Sequence, residues 1–225
     1  MEIGIQIAID GPAAAGKSTI AKITANKLGY TYIDTGAMYR ALTYKALKEH
    51  IDVYDDEALS QLLSRIVIEL SPAEEGQIVR VEGEDVTEAI RSQEVTSNVS
   101  AVAAQPQVRE MMVEKQRLLA NSKGVVMDGR DIGTAVLPNA ELKIYMTASV
   151  EERAARRFVE NTKRGIDRSM EQLCQDIANR DKADMERIAS PLKQADDAIF
   201  IDTTSMSIEQ VADTIIQHAE KRKGR

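Results

Sequence analysis

Cysteine is almost missing from this 225-residue chain, which holds only Cys174. A lone thiol excludes an internal disulfide framework, and a chain of this length buries a sizeable core without one. Long apolar runs are missing as well. Nothing approaches the ~18 consecutive apolar residues of a membrane span. The first residues carry neither the basic region nor the long apolar stretch of a secretory leader. There is no internal repeat and no low-complexity tract. Together these absences predict a cytoplasmic protein that works away from membranes. With 43% hydrophobic and 29% charged residues, wholesale disorder is excluded. The length allows one large domain or two small ones.

Positive charge is also short: 29 Lys and Arg stand against 36 Asp and Glu, a net of −7. The deficit is local. Residues 51–100 hold twelve acids and three bases, a net of −9, which leaves +2 for the rest of the chain. That distribution argues against a general nucleic-acid-binding surface and sets the segment apart, as a solvated flank that does not itself bind phosphate.

What is present alternates strand and helix. Ile3, Ile5, Ile7 and Ile9 read as a strand near the centre of a sheet, followed by a Gly-rich turn and a helix from Lys17 to Leu28 capped by Gly29. Tyr30–Ile33 reads as a second strand, with a helix over Gly36–Glu49. Gly124–Met127, Leu142–Met146 and Ala198–Ile201 read as buried parallel strands, and Val108–Ala120, Val150–Val159 and Ile208–Ala219 as helices. The pattern predicts an α/β sheet with right-handed crossovers. Ile66–Leu70, Gln77–Val81 and Glu84–Val86, with turn signals at Ala73–Gly76 and Gly83, predict a small antiparallel unit inserted into it. Arg153–Arg168 forms a second polar excursion, rich in Arg and interrupted by Gly165.

Gly11-Pro12-Ala13-Ala14-Ala15-Gly16-Lys17-Ser18 matches the phosphate loop G-x-x-x-x-G-K-[ST] in its required strand–turn–helix context. Its glycines let consecutive N–H groups converge on a phosphate at a helix N-terminus. Lys17 is placed to reach the β- and γ-phosphates, and the Ser18 hydroxyl to ligate Mg²⁺. The elements of a GTP switch are lacking. No Asp is followed by Gly at the third position, and Asp181-Lys182-Ala183-Asp184 begins with the wrong residue for guanine recognition.

Asp34-Thr35-Gly36-Ala37-Met38-Tyr39-Arg40 follows the second strand, at the edge where such sheets bind ligands. An arginine one helical turn from that edge can hold a second phosphate by bidentate bonds. Asp128-Gly129-Arg130-Asp131 crowds charge at the end of the third strand. Asp10 and Asp128 could serve a cation or simply cap a turn. Arg153 and Arg157 share a helical face with Arg156 beside them, and Arg180, Asp184 and Arg187 are spaced to share another. Such cations suit phosphoryl transfer, which is mainly clamping and charge neutralisation, but they also suit ordinary surface ion pairs.

These motifs, with Glu82-Gly83-Glu84-Asp85-Val86 and Ile90-Arg91, extend in order over nearly the whole chain and resemble the bacterial cytidylate kinases of the nucleoside-monophosphate kinase group. The resemblance implies a P-loop kinase core with a central five-stranded parallel sheet flanked by helices, an inserted monophosphate-binding domain with a small antiparallel β unit, and an Arg-rich lid. On this sequence the core covers 1–35, 106–150 and 171–225, the monophosphate-binding region 36–105 with its insert at about 65–90, and the lid 151–170. It implies ATP-dependent phosphorylation of CMP and dCMP with Mg²⁺ in the cytoplasm by a monomer, without nucleic acid. ATP falls to Gly11 through Thr19, including Pro12, Ala13, Ala14, Ala15, Gly16, Lys17 and Ser18. Ser100, Arg109 and Asp131 match cytosine-recognising positions, with Tyr39 and Asp128 also on the substrate side. Arg40, Arg130 and Arg187 match clamps on the monophosphate, Thr35, Arg180 and Asp184 lie near the sugar, and Arg153 and Arg157 match lid positions on the ATP side. Lys17, Arg130, Arg153, Arg157 and Arg187 form the expected catalytic set. Thr35 stands where Ser also occurs, and Ser18 where some members have Gly and lose the metal-ligating hydroxyl. The alternatives are another small P-loop kinase, or a nucleotide-binding regulatory module without turnover.

Overall fold

In the computed structural model the central strand β1 (Gln6–Asp10) leads through the Gly-rich turn to α1 (Lys17–Leu28), β2 (Thr31–Asp34) and α2 (Thr35–Lys48). The chain continues through α3 (Asp56–Arg65), β3 (Ile68–Ala73), β4 (Gly76–Val81), β5 (Glu84–Asp85), α4 (Gln93–Ala104) and α5 (Pro106–Leu119). Then come β6 (Val125–Gly129), β7 (Leu142–Thr147), α6 (Val150–Lys163), α7 (Met170–Glu186), β8 (Ile199–Asp202) and α8 (Ile208–Glu220). A 3-10 turn, Ala89–Arg91, precedes α4, and a π-helical turn, Ile132–Val136, follows β6. The structure describes residues 4–73, 76–121, 124–163 and 165–223; Ile3 and the middle of the Ala73–Gly76 turn lie outside the described residues. Among the described residues no helix is long and apolar enough to cross a membrane.

The five strands of the main sheet lie in the order β2-β6-β1-β7-β8, all parallel, with Asp10 in register with Gly129 on one side and Tyr145 on the other. Both faces are covered, which is why these strands read as continuous apolar runs. Ile7 and Ile9 pack with Leu142 and Ile144 against Ile20 of α1 and Ile215 of α8. Ala8, Ile33 and Met127 turn the other way, onto Ala120, Ile132 and Val136. This places the carboxyl ends of β1, β2 and β6 side by side, with Asp10, Asp34 and Asp128 at one edge.

The second sheet is the antiparallel β3-β4-β5 unit, with Ile68 in register with Val81 and Ala73 with Gly76. Its apolar side rests on α2 through Val79, Val81 and Ala41. β3 begins two residues later than the sequence suggests because α3 continues to Arg65 and Ile66 is its C-cap. Most acids of the segment are exposed, as its composition suggests, but several are paired. Glu82 and Glu84 pair with Lys45 and Lys48 of α2 at 2.6 and 2.8 Å, and the Asp56 carboxylate accepts from the Gln107 and Val108 N–H groups at the head of α5.

Candidate active site

β1 ends where the chain must pass close to β7. A Cβ on Gly11 would lie 1.9 Å from the Met146 carbonyl oxygen, and its φ of 152° suits glycine. Ala14 and Gly16 also have positive φ, 58° and 87°, which curls the loop onto the start of α1. Gly16 is the N-cap and contributes no side-chain cap, so the first-turn N–H groups of α1 remain available to an anion. Lys17 is buried and its Nζ donates to the Pro12 carbonyl at 2.7 Å. Burial first, and then the neighbouring Arg130, push its pKa down to about 7.

Asp128, at the end of β6, accepts from Ser18 Oγ at 2.9 Å and from the Tyr32 hydroxyl at 2.8 Å. Burial and the nearby Asp34 raise its pKa to about 6. A loop hydroxyl backed by a buried, unwillingly ionised carboxylate is a donor set suited to a hard divalent cation. Asp10 resolves differently. Both its oxygens accept backbone N–H groups at 2.7 Å, from Ile132 and Gly133, so it fixes the π-helical turn to the end of β1. Burial nonetheless drives its pKa up to about 7, against the pull of those two bonds.

On the next strand Asp34 caps α2 by accepting from the Ala37 N–H at 2.8 Å, and its other oxygen accepts from Arg40 at 2.9 Å. Gly36 leaves the room: a Cβ there would stand 3.0 Å from the Arg40 guanidinium. Burial alone would raise the Asp34 pKa, but Arg40, the Ala37 N–H and Arg91 together hold it below the usual carboxylate range. Thr35 is buried, its hydroxyl donating to the Asp128 carbonyl at 2.7 Å. Ser100 lies half-buried on α4.

Arg109 of α5 is buried over the Tyr39 ring at 5.4 Å, donates to the Ala103 carbonyl, and pairs with Asp131 at 2.6 Å. Asp131 also faces Arg187 at 3.8 Å. Arg187 pairs with Asp184 at 3.4 Å and donates to the Ser190 carbonyl. Arg130 donates to Asp184 at 2.9 Å. Asp184 is held below the usual carboxylate range: burial works against this, and Arg130 and Arg180 outweigh it. Burial and Arg130 lower Arg180 to about 10. Among the described residues, the buried Nε atoms of Arg40, Arg91 and Arg180 have no hydrogen-bond partner. A buried cluster of guanidinium groups with donors left unspent has the chemistry to hold an anion.

Arg180, Asp184 and Arg187 come together as their spacing predicts, at the end of one helix. Arg180 and Asp184 lie on α7, which ends at Glu186, and Arg187 is its C-cap (φ −63°, ψ 144°). Its φ is still helical, so its side chain leaves the helix three positions after Asp184 and pairs with it at 3.4 Å; only the chain beyond Arg187 turns away. Arg153, on α6, is buried and its donors go to protein: the Ala148 and Ala13 carbonyls and the Asp181 carboxylate. Arg156 donates to the Ala15 carbonyl at 3.2 Å. Arg157, with its side chain 35% exposed, pairs with Glu160 at 3.3 Å. The structure thus assembles Lys17, Ser18, Asp128, Arg40, Arg130, Arg180, Asp184 and Arg187, with Arg109, Asp131 and Tyr39 connected beside them. Sequence reasoning left Asp34 and Arg91 without roles. A capping Asp six residues before the expected phosphate arginine was the available signal for the first; Arg91 had none beyond its motif.

Comparison with known proteins gives a consistent result. A family model described as cytidylate kinase matches residues 7–221. The cytidylate kinase of Geobacillus sp. (strain WCH70) is 60% identical over 224 residues, covering 100% of both chains. That of Bacillus subtilis (strain 168) is 59% identical over 222 residues, 99% of each. Among solved structures, a gluconokinase from Sinorhizobium meliloti 1021 shares the fold at a TM-score of 0.51 and 12% identity, covering 98% of this chain and 94% of its own.

Proposed function

The chain belongs to the cytidylate kinase family, and from that premise we propose that it transfers the γ-phosphoryl group of ATP to CMP and dCMP, yielding CDP and dCDP for pyrimidine nucleotide metabolism. The observation that carries this reading is that one strand end serves two separately built anion sites: Asp128 accepts from Ser18 of the phosphate loop at 2.9 Å, and Arg130, two residues on, binds Asp184 of the arginine cluster at 2.9 Å. One site suits the donor's phosphates and the other the acceptor's, close enough for transfer between them.

In this reading Gly11–Thr19 wraps the ATP phosphates. Lys17 leaves the Pro12 carbonyl for the β- and γ-phosphates. Arg40, Arg130 and Arg187, joined by Arg91, hold the acceptor phosphate. An α-phosphate oxygen of CMP attacks the γ-phosphorus in line, the bond to the β,γ-bridging oxygen breaks, and ADP departs. No strong general base is required because the attacking oxygen is already ionised. Ser18 would hold Mg²⁺ with Asp128 behind it, and the bound ion supplies neutralisation of phosphate charge. Thr35 keeps acceptor capacity for the sugar while donating to Asp128. Arg180 and Asp184 complete that sugar site, and Ser100, Arg109 and Asp131 read the cytosine edge. A base lacking the matching donor would leave these buried groups unpaired. Arg153 acts through the loop backbone it holds and Arg157 from the more exposed face of α6. The reading also divides the chain into a core, an acceptor region at 36–105 and a lid at 151–170. It takes the protein to be a cytoplasmic monomer whose partners are ATP and CMP or dCMP.

Initial rates with CMP, dCMP, UMP and AMP under saturating MgATP test this directly. CMP and dCMP are expected to be the preferred acceptors; UMP or AMP used at least as well as CMP would overturn the specificity.

A further inference from the structure

β2 is an outer strand of the parallel sheet. Its odd residues face β6, as Thr31 N donating to the Gly124 carbonyl at 2.9 Å shows, so its even residues turn their peptide groups outward. Gln77, near the start of β4, meets two of these groups with one carboxamide. Its Nε2 donates to the Tyr32 carbonyl at 2.8 Å, and its Oε1 accepts from the Asp34 N–H at 3.2 Å. Those are the groups through which a further parallel strand would have bonded. The adjacent Gly76 lies so near Lys22 of α1 that a Cβ would stand 2.5 Å from the ammonium, and Lys22 itself lies over the Tyr32 ring at 5.9 Å. The inserted sheet therefore grips the core at the strand that ends in Asp34.

Asp34 is the residue that orients Arg40. Its backbone N–H is held by Gln77, while its carboxylate caps α2 and binds the Arg40 guanidinium. We propose that Gln77 is a positioning residue for the acceptor phosphate, fixing the Asp34 backbone and through it Arg40. The inserted sheet is then a brace for the acceptor site. This rests on the reading of Arg40 as a phosphate ligand. The plain alternative is that Gln77 only covers a strand edge.

Gln77→Met keeps the side-chain length and can make neither bond. Losing one or two ordinary hydrogen bonds' worth of positioning is expected to raise the calorimetric Kd and the KM for CMP about fivefold. The KM for ATP and kcat at saturation should stay within about twofold. Gln77→Glu keeps the acceptor but sets a carboxylate against the Tyr32 carbonyl, and should be worse than Met. Gln77→Asn, one methylene too short for both partners, carries the same expectation if the methionine variant is insoluble. Arg40→Gln is measured in parallel. If it weakens CMP while the Gln77 variants lose only thermal stability, Gln77 is edge cover and the inference is overturned. If Arg40→Gln leaves CMP affinity unchanged, the reading of Arg40 fails and the brace fails with it.

Discussion

Lys17 is an ammonium in a place that solvates it poorly. Burial is the main reason its pKa falls to about 7, with Arg130 second and the carboxylates of Asp128 and Asp10 pulling back. At pH 8 it is therefore largely neutral in the free protein, while Asp10 at about 7 and Asp128 at about 6 are largely ionised. Bringing ATP phosphates to the lysine restores the charged form. Because the two carboxylates are already deprotonated at this pH, they have no proton to release that would mask this uptake. MgATP binding at pH 8 should thus take up roughly one proton per site. Calorimetry in buffers of different ionisation enthalpy reads this number, and Lys17→Met should abolish it; binding without uptake in the unaltered protein would refute the depressed lysine. The phosphate role proposed for Lys17 is legible from the loop motif. The lysine's depressed pKa is not, because Arg130 arrives from the end of a different strand.

The two ends of α1 show how differently an element can depend on glycine. Gly29 at its C-terminus has φ 67°, and a Cβ there would meet nothing within 4 Å, so Gly29→Ala should cost only about 1 kcal/mol of left-handed strain. Gly11, before its N-terminus, faces the Met146 carbonyl at a distance no Cβ tolerates. There Gly11→Ala should cost about 3 kcal/mol or more and also distort the loop. Urea unfolding of the two variants checks the contrast; equal costs would sink it. Both glycines are legible in the sequence as turn signals, but their ranking needs β7, which only the sheet supplies. The core strands were legible because parallel strands buried on both faces read as apolar runs. α3 and α4 were not, since their apolar positions, such as Leu59, Leu62 and Val99, are scattered through an acidic, polar stretch. α7 was not given a range for a related reason, and only the spacing of Arg180, Asp184 and Arg187 marked it as helical. The chain's departure at Arg187 is stabilised by contacts across a turn, including Leu192 N to the Asp184 carbonyl at 2.8 Å.

Over the whole molecule the net charge of −7 conceals a separation of roles. The acidic segment spends part of its charge on Lys45, Lys48 and the head of α5, while the arginines gather from α2, the 3-10 turn within that same segment, the end of β6, α7 and its C-cap. No stretch of sequence contains that cluster, which is why Arg180 and Arg187, taken singly, also suit surface ion pairs. Asp184 is its main anion, paired with Arg130 and Arg187 and facing Arg180. Asp184→Asn keeps the shape and removes the charge, leaving buried cations facing one another. The expected cost is about 3 kcal/mol at neutral pH. Because the folded-state pKa of Asp184 is lowered, its contribution is complete above the ordinary carboxylate range and is lost as the pH falls through the folded value. The stability gap between the two proteins should therefore be flat from about pH 6 to 8 and close below about pH 4. The same change should act in opposite directions on ligands. CMP, deprived of the carboxylate proposed for its sugar, should be used less well, whereas inorganic phosphate, entering a more positive cluster, should raise the melting temperature of the variant more than that of the unaltered protein. Urea unfolding across pH and thermal melts with phosphate measure both. A variant as stable as the original at pH 7, or one that phosphate stabilises less, would show that Asp184 is not the counter-charge holding these arginines together.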